Sequence, residues 1–156
     1  MMQSKRIDPL LKRAQEKEDT VARELADRQR TLDTHLSRLD ELRRYADEYS
    51  GEMAGAQMAA TSPAQLMNRR AFLDRLDSAV AQQSQTVDNN REKVEAERAR
   101  LLLASRDKQV LEQLAASYRA QERQVAEKRT QREMDDLGAR RVRLLQADDQ
   151  DGGGSR

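Results

Sequence analysis

The sequence predicts an all-α protein: an antiparallel two-helix coiled coil, folded as a helical hairpin whose longer second helix overhangs the first. Three observations carry that prediction. An apolar stripe recurs at three- and four-residue spacing, the composition is 37% charged and 3% aromatic, and a fresh helix-start signal sits in mid-chain. The stripe passes through Leu11, Ala14, Val21, Leu25, Leu32, Leu39, Leu42, Ala46, Tyr49 and Met53, alternating first and fourth heptad positions over roughly six heptads. A single stripe buries against a facing helix but does not enclose a catalytic pocket, so the function is sought in contacts with partners.

The elements follow in order. Asp8 before Pro9 reads as a helix start, because the Asp side chain accepts from free N–H groups and proline at the first helical position loses no bond. This predicts a first helix over about 9–53. Gly51 and Gly55 then weaken helix, predicting a bend over about 54–62. Within Thr61, Ser62, Pro63, Ala64 and Gln65, Ser62 caps, Pro63 takes the first position and Gln65 completes a capping box. A second helix over about 63–145 follows, with Gly138 its sole glycine. Residues 1–147 form one elongated coiled-coil domain on this reading, and the Asp- and Gly-rich residues 148–156 form a disordered tail.

The second helix carries Leu66, Leu73, Val80, Val87, Val94 and Leu101 at seven-residue spacing, but the alternate positions hold Leu76 and then Gln83, Asn90 and Glu97. A less regular stripe follows through Leu111, Leu114, Tyr118 and Val125 and drifts in register by Met134, Leu137, Val142 and Leu144. Two helices joined by a short linker fold back most simply as a hairpin. The second then extends past the first somewhere after residue 110, and that uncovered end is a docking surface. The same seam also suits two chains zipped in parallel; the two-glycine linker and the new cap favour the monomeric hairpin.

Composition excludes several classes. Mean hydropathy is -1.01 and the net charge is +1, so neither a thick core nor a global attraction for nucleic acid or an anionic membrane is expected. With no cysteine there is no disulfide, thiolate metal site or thiol nucleophile. No apolar run suits a signal peptide or a membrane span, which predicts a cytoplasmic protein without direct membrane insertion. His35, the one histidine, falls on the seam and reads as a register-specifying polar residue rather than a metal ligand or base. Gly152, Gly153 and Gly154 lack the strand and helix of a phosphate loop. We therefore expect no catalytic residues, no metal and no cofactor, and read the protein as not an enzyme.

Two clusters remain. Arg119, Arg123, Lys128, Arg129 and Arg132, followed by Arg140, Arg141 and Arg143, recur at helical spacing on the expected overhang. Glu122, Glu127, Glu133, Asp135 and Asp136 are interspersed and there is no aromatic platform for base stacking, so an acidic protein surface fits better than nucleic acid. The second cluster lies beside the bend. Leu42, Tyr45 and Tyr49 late in the first helix meet Phe72, Leu76 and Ala79 early in the second, gathering three of the four aromatic residues. They serve either as a partner anchor or as packing that seals the bend, with Tyr45 and Phe72 the better candidates for exposure.

The chain resembles the FliJ family, the small coiled-coil component of the bacterial flagellar type III export apparatus. The likeness spans nearly the whole chain. It rests on Pro9, Leu10 and Leu11 through Lys17 and Glu18, on the block from Leu39, Asp40, Glu41 and Leu42 through Arg43, Arg44, Tyr45, Ala46, Asp47, Glu48 and Tyr49, on Phe72, Leu73, Asp74, Arg75 and Leu76, and on the basic helix around residues 127–141. The resemblance implies a stalk like that of rotary ATPases, bridging the export ATPase hexamer and the cytoplasmic part of the export-gate membrane protein and assisting the export chaperones. It further implies that Leu42, Tyr45, Tyr49, Phe72, Leu76 and Ala79 form the export-gate contact, flanked here by Arg38 and Gln83, and that the terminal ends enter the ATPase ring. The protein would be held at the inner membrane, at the flagellar base, through its partners. A generic coiled-coil adaptor, or the equivalent stalk of a virulence type III system, has the same shape.

Overall fold

The computed structural model describes residues 2–55 and 62–152. They form two α-helices, α1 Met2–Ala54 and α2 Pro63–Asp151, with no strand among the described residues. Residues 56–61 of the expected bend and residues 153–156 of the expected tail lie outside the described residues. The start of α2 follows the local chemistry: the Gln65 N–H donates to the Ser62 hydroxyl at 3.3 Å, and the Leu66 N–H to the Ser62 carbonyl at 3.0 Å. Ser62 is thus the cap and Pro63 the first helical residue, where its missing N–H costs nothing.

Two boundaries differ from expectation. The first helix does not begin at Pro9; it begins at Met2 and carries Pro9 inside it. Proline there removes the ladder bond to the Lys5 carbonyl, yet tertiary contacts hold the preceding turns. Ile7 is 4% exposed, Ser4 bonds to Glu122 and Asp8 pairs with Arg119. Packing against a facing helix overrides a local cap signal when it buries an apolar side chain worth more than the lost bond. The second helix does not stop near 145. It continues to Asp151, so residues 148–151 of the expected disordered tail are helical. Aspartate is a weak helix former rather than a breaker, and the first strong stop is Gly152.

The chain divides into two compact units, Ala14–Asp107 and Met1–Arg13 with Lys108–Arg156. In the first, contacts join Glu24 to Arg100, His35 to Gln83 and Tyr45 to Phe72; numbers rise on α1 as they fall on α2, so the pairing is antiparallel. Val21, Leu39 and Ala46 of α1 and Leu76, Val87, Val94 and Ala104 of α2 are buried, and Ala14, Leu25, Leu32, Leu42, Tyr49 and Met53 are half-buried. The seam assigned from the heptads is therefore the seam of the fold. No large side chain is sealed in completely among the described residues, as expected when each residue meets only one facing helix.

The polar half of the α2 seam is buried at Asn90 and Glu97 and half-buried at Gln83, and each member is satisfied. Asn90 donates to the Thr86 carbonyl of its own helix at 2.8 Å. Gln83 Nε2 donates to the His35 carbonyl at 3.0 Å and lies 3.1 Å from His35 Nδ1. Arg100 Nη1 donates to Glu97 Oε1 and to Glu24 Oε2, each at 3.0 Å. The hydrogen bond and charge of Glu97, with Glu24 behind them, raise the Arg100 pKa and keep the guanidinium charged. A Glu97 side chain only 12% exposed thus remains paired.

In the second unit α1 and α2 are also antiparallel, with Ser4 bonded to Glu122 and Asp8 to Arg119. The α2 stripe expected through Leu111, Leu114, Tyr118 and Val125 holds at Leu111 and Tyr118 but not at Leu114 and Val125. It runs on at the same spacing through Lys108, Leu111, Ala115, Tyr118 and Glu122, all buried or half-buried, whereas Leu114 and Val125 are exposed. Because α1 reaches Met2, it covers α2 as far as Glu122. The uncovered helix, expected somewhere after residue 110, therefore starts at Arg123, and every described residue from there to Gly152 is exposed. That helical stretch is about 44 Å long at 1.5 Å per residue.

Candidate functional site

Within the unit Ala14–Asp107, the three rings expected at the bend come together. The Phe72 ring lies 4.9 Å from Tyr49 at 68° and 6.4 Å from Tyr45 at 87°, both edge-on. Edge-to-face geometry suits the aromatic quadrupole and fixes the rings without a deep core. The two readings left open by the sequence divide among the residues. Leu76 is buried and Leu42, Tyr49 and Ala79 are half-buried, so these seal the helix pair. Tyr45 is 52% exposed and Phe72 38%, so the outer half of the cluster offers amphipathic and apolar ring surface to solvent. Beside it Arg38, Glu41, Leu42, Tyr45 and Gln83 line a shallow groove. Gln83 is held by its bonds to His35, so the histidine acts here as a register lock between helices.

Within the other unit, the expected cationic set divides. Arg119 does not stand free; its guanidinium donates to Asp8 Oδ1 at 3.0 Å and ties the start of α1 to α2. Arg123, Lys128, Arg129 and Arg132 lie on the uncovered helix. At 100° per residue Lys128, Arg132 and Arg143 share one side, while Met134, Leu137 and Leu144 lie roughly opposite. Those three apolar residues are 68%, 63% and 69% exposed. Arg123 and Arg141 fall on that same side and Val125 and Val142 on the basic one, so the stretch offers mixed cationic and apolar surface to solvent.

Sequence reasoning missed two features. It placed the cap at Asp8, and so did not see that Ser4, Ile7 and Asp8 pack on α2. It also placed Leu114 on the stripe, where Ala115 belongs. Extending the seven-residue spacing from Leu101 through Lys108 to Ala115 and Glu122 would have kept the register. Among the described residues no group of three or more His, Asp or Glu converges as a metal site, and no helix is long and apolar enough to cross a membrane.

Comparison with known proteins fits this architecture. The family model described as Flagellar FliJ protein matches residues 3–146. No curated protein sequence and no solved structure matches the chain. The family match takes in the aromatic cluster, the paired helices and most of the uncovered helix, nearly the whole chain. The chain therefore belongs to the FliJ family and is a component of the flagellar protein export apparatus.

Proposed function

We propose that the protein is a non-enzymatic coiled-coil stalk of the export apparatus, engaging the export-gate membrane protein through the aromatic cluster and the export ATPase hexamer through the uncovered helix. The observation that carries this reading is the pair of partly exposed rings, Tyr45 and Phe72, with the half-buried Tyr49 edge-on to Phe72. A preorganised aromatic patch anchors a partner at little conformational cost. The gate contact comprises Leu42, Tyr45, Tyr49, Phe72, Leu76 and Ala79, and the ring contact Arg123, Lys128, Arg129 and Arg132, the expected Arg119 being engaged by Asp8. The two sets share no residue.

The mechanism is linkage. A helix that binds the assembled ring better than its free subunits favours assembly by mass action, and it biases subunit states only through differential contacts. The protein hydrolyses no ATP itself. Export chaperones are delivered to the same assembly, and residence at the membrane comes through the gate protein. The family match favours the flagellar system over a virulence secretion system.

The test is co-precipitation with the export ATPase and the cytoplasmic part of the gate protein, comparing wild type with the Tyr45→Ala/Phe72→Ala variant. Binding of both partners by wild type, with the gate contact alone lost in the variant, supports the assignment. Unchanged gate affinity in a folded variant removes the gate role from the aromatic cluster.

A further inference from the structure

The unit formed by Met1–Arg13 and Lys108–Arg156 has two unlike long edges. One is closed by polar contacts: Ser4 N and Oγ donate to Glu122 at 3.2 and 2.7 Å, and Arg119 donates to Asp8 at 3.0 Å. The other is an open apolar groove lined by Gln3, Arg6, Ile7, Leu10, Leu114 and Tyr118. Leu10 is 50% exposed and Leu114 39%, and Val110, one turn before Leu114, is 63% exposed. Positions beside the seam of a two-helix coiled coil are ordinarily charged, because they face water. Here they are leucine and valine, the pattern expected where another helix lies over the pair.

The rim says what kind of helix. Arg6 stands four residues before Leu10 and Arg13 three after it, so all three share one side of α1. Residues 3–13 carry Lys5, Arg6, Lys12 and Arg13 against Asp8 alone, and Asp8 is already engaged by Arg119. On the α2 side Gln113 and Ser117 lie next round the helix from Leu114. We propose that this groove seats an amphipathic helix of a partner protein, with leucine-type residues at i, i+3, i+4 and i+7 facing Leu10, Leu114 and Val110, and glutamate or aspartate along the edge that lies over α1. Apolar contact supplies the affinity, and the arginines set the orientation and the preference for an acidic edge. The surface shares no residue with the aromatic cluster or with the cations beyond residue 122.

The test uses the full chain and two fluorescein-labelled helical peptides that share a leucine stripe, one edged with glutamate and one with lysine, followed by anisotropy at two salt concentrations. The glutamate peptide should bind about tenfold or more tightly than the lysine peptide. Leu10→Ser with Leu114→Ser should weaken it by about tenfold or more, and Arg6→Glu with Arg13→Glu should invert the preference. Met134→Ser with Leu137→Ser should leave binding unchanged. If the leucine variant loses helicity by circular dichroism, the exposed arginine pair carries the decision. The proposal is overturned by equal binding of the two peptides, by no binding to a folded chain, or by loss in the Met134/Leu137 variant alone. It is equally overturned if the free protein dimerises with rising concentration and the dimer excludes the peptide, since the occupant is then a second copy.

Discussion

Asn90 offers the sharpest test of the seam, because the prediction runs against the usual destabilising direction. Its side chain sits at a heptad position and is 8% exposed, and its amide donates to the Thr86 carbonyl of its own helix at 2.8 Å. That carbonyl belongs to the helix ladder in any case, so the bond adds little; removing it costs about 0.5–1 kcal/mol. Burying a leucine side chain at the same place contributes about 1.5–3 kcal/mol. Asn90→Leu should therefore stabilise the chain by about 1–2 kcal/mol, which for a chain of this size raises Tm by about 2–8 °C. The neighbouring Asn89 is exposed, so Asn89→Leu should shift stability by no more than about 0.5 kcal/mol. Thermal and urea melts followed by circular dichroism read both variants. A fall in stability for Asn90→Leu, or an equal rise for Asn89→Leu, would refute the assignment of residue 90 to the helix interface.

Other outcomes follow from the same contacts. Val21, 2% exposed, should not accept a charge: Val21→Asp should cost at least about 3 kcal/mol and sharply reduce helicity at moderate urea. Pro9 is exposed within α1, so Pro9→Ala should restore the ladder bond to Lys5 and gain about 1–3 kcal/mol locally, read as slower amide exchange across residues 5–10. The Asp8–Arg119 pair is about half exposed at both partners; Arg119→Ala should cost no more than about 1 kcal/mol and speed exchange only at the start of α1. A Cβ at Gly138 meets nothing within 4 Å, so Gly138→Ala should stabilise the uncovered helix by about 0.5–1 kcal/mol, visible as higher mean helicity without any change in the seam.

Much of the architecture was legible because its signals are local or periodic. The Ser62 cap with Pro63 placed the start of α2 to the residue, and the stripe from Leu11 to Met53 named the buried face of α1. The polar seam residues were also legible as seam residues, although the Gln83–His35 bond and the Arg100 bonds to Glu97 and Glu24 join residues far apart in the chain and have no local signature. The meeting of Tyr45, Tyr49 and Phe72 beside the bend was legible from their helical spacing. The division of the cluster was legible too, because Tyr49 falls on the heptad stripe while Tyr45 and Phe72 lie off it and are the more exposed rings; the edge-on contacts of Phe72 with both tyrosines, which join residues on different helices, were not.

The sequence by itself determined the all-α class, the two helices, the register of their shared seam as far as Leu101, and the family to which those motifs point. Each of these depends on a 3.5-residue period or on a cap, both written within a few turns of chain. Tertiary structure alone decided that α1 begins at Met2 despite Asp8 and Pro9, that Arg119 is bound to Asp8, that α2 is covered as far as Glu122, and that Leu10 and Leu114 line an open groove. Each of these depends on which turn of one helix lies against which turn of the other. That alignment is set by the summed burial of Ile7, Ala115 and Tyr118 together with two polar contacts spanning the helix pair, a balance in which propensities of a few tenths of a kcal/mol are overridden by packing.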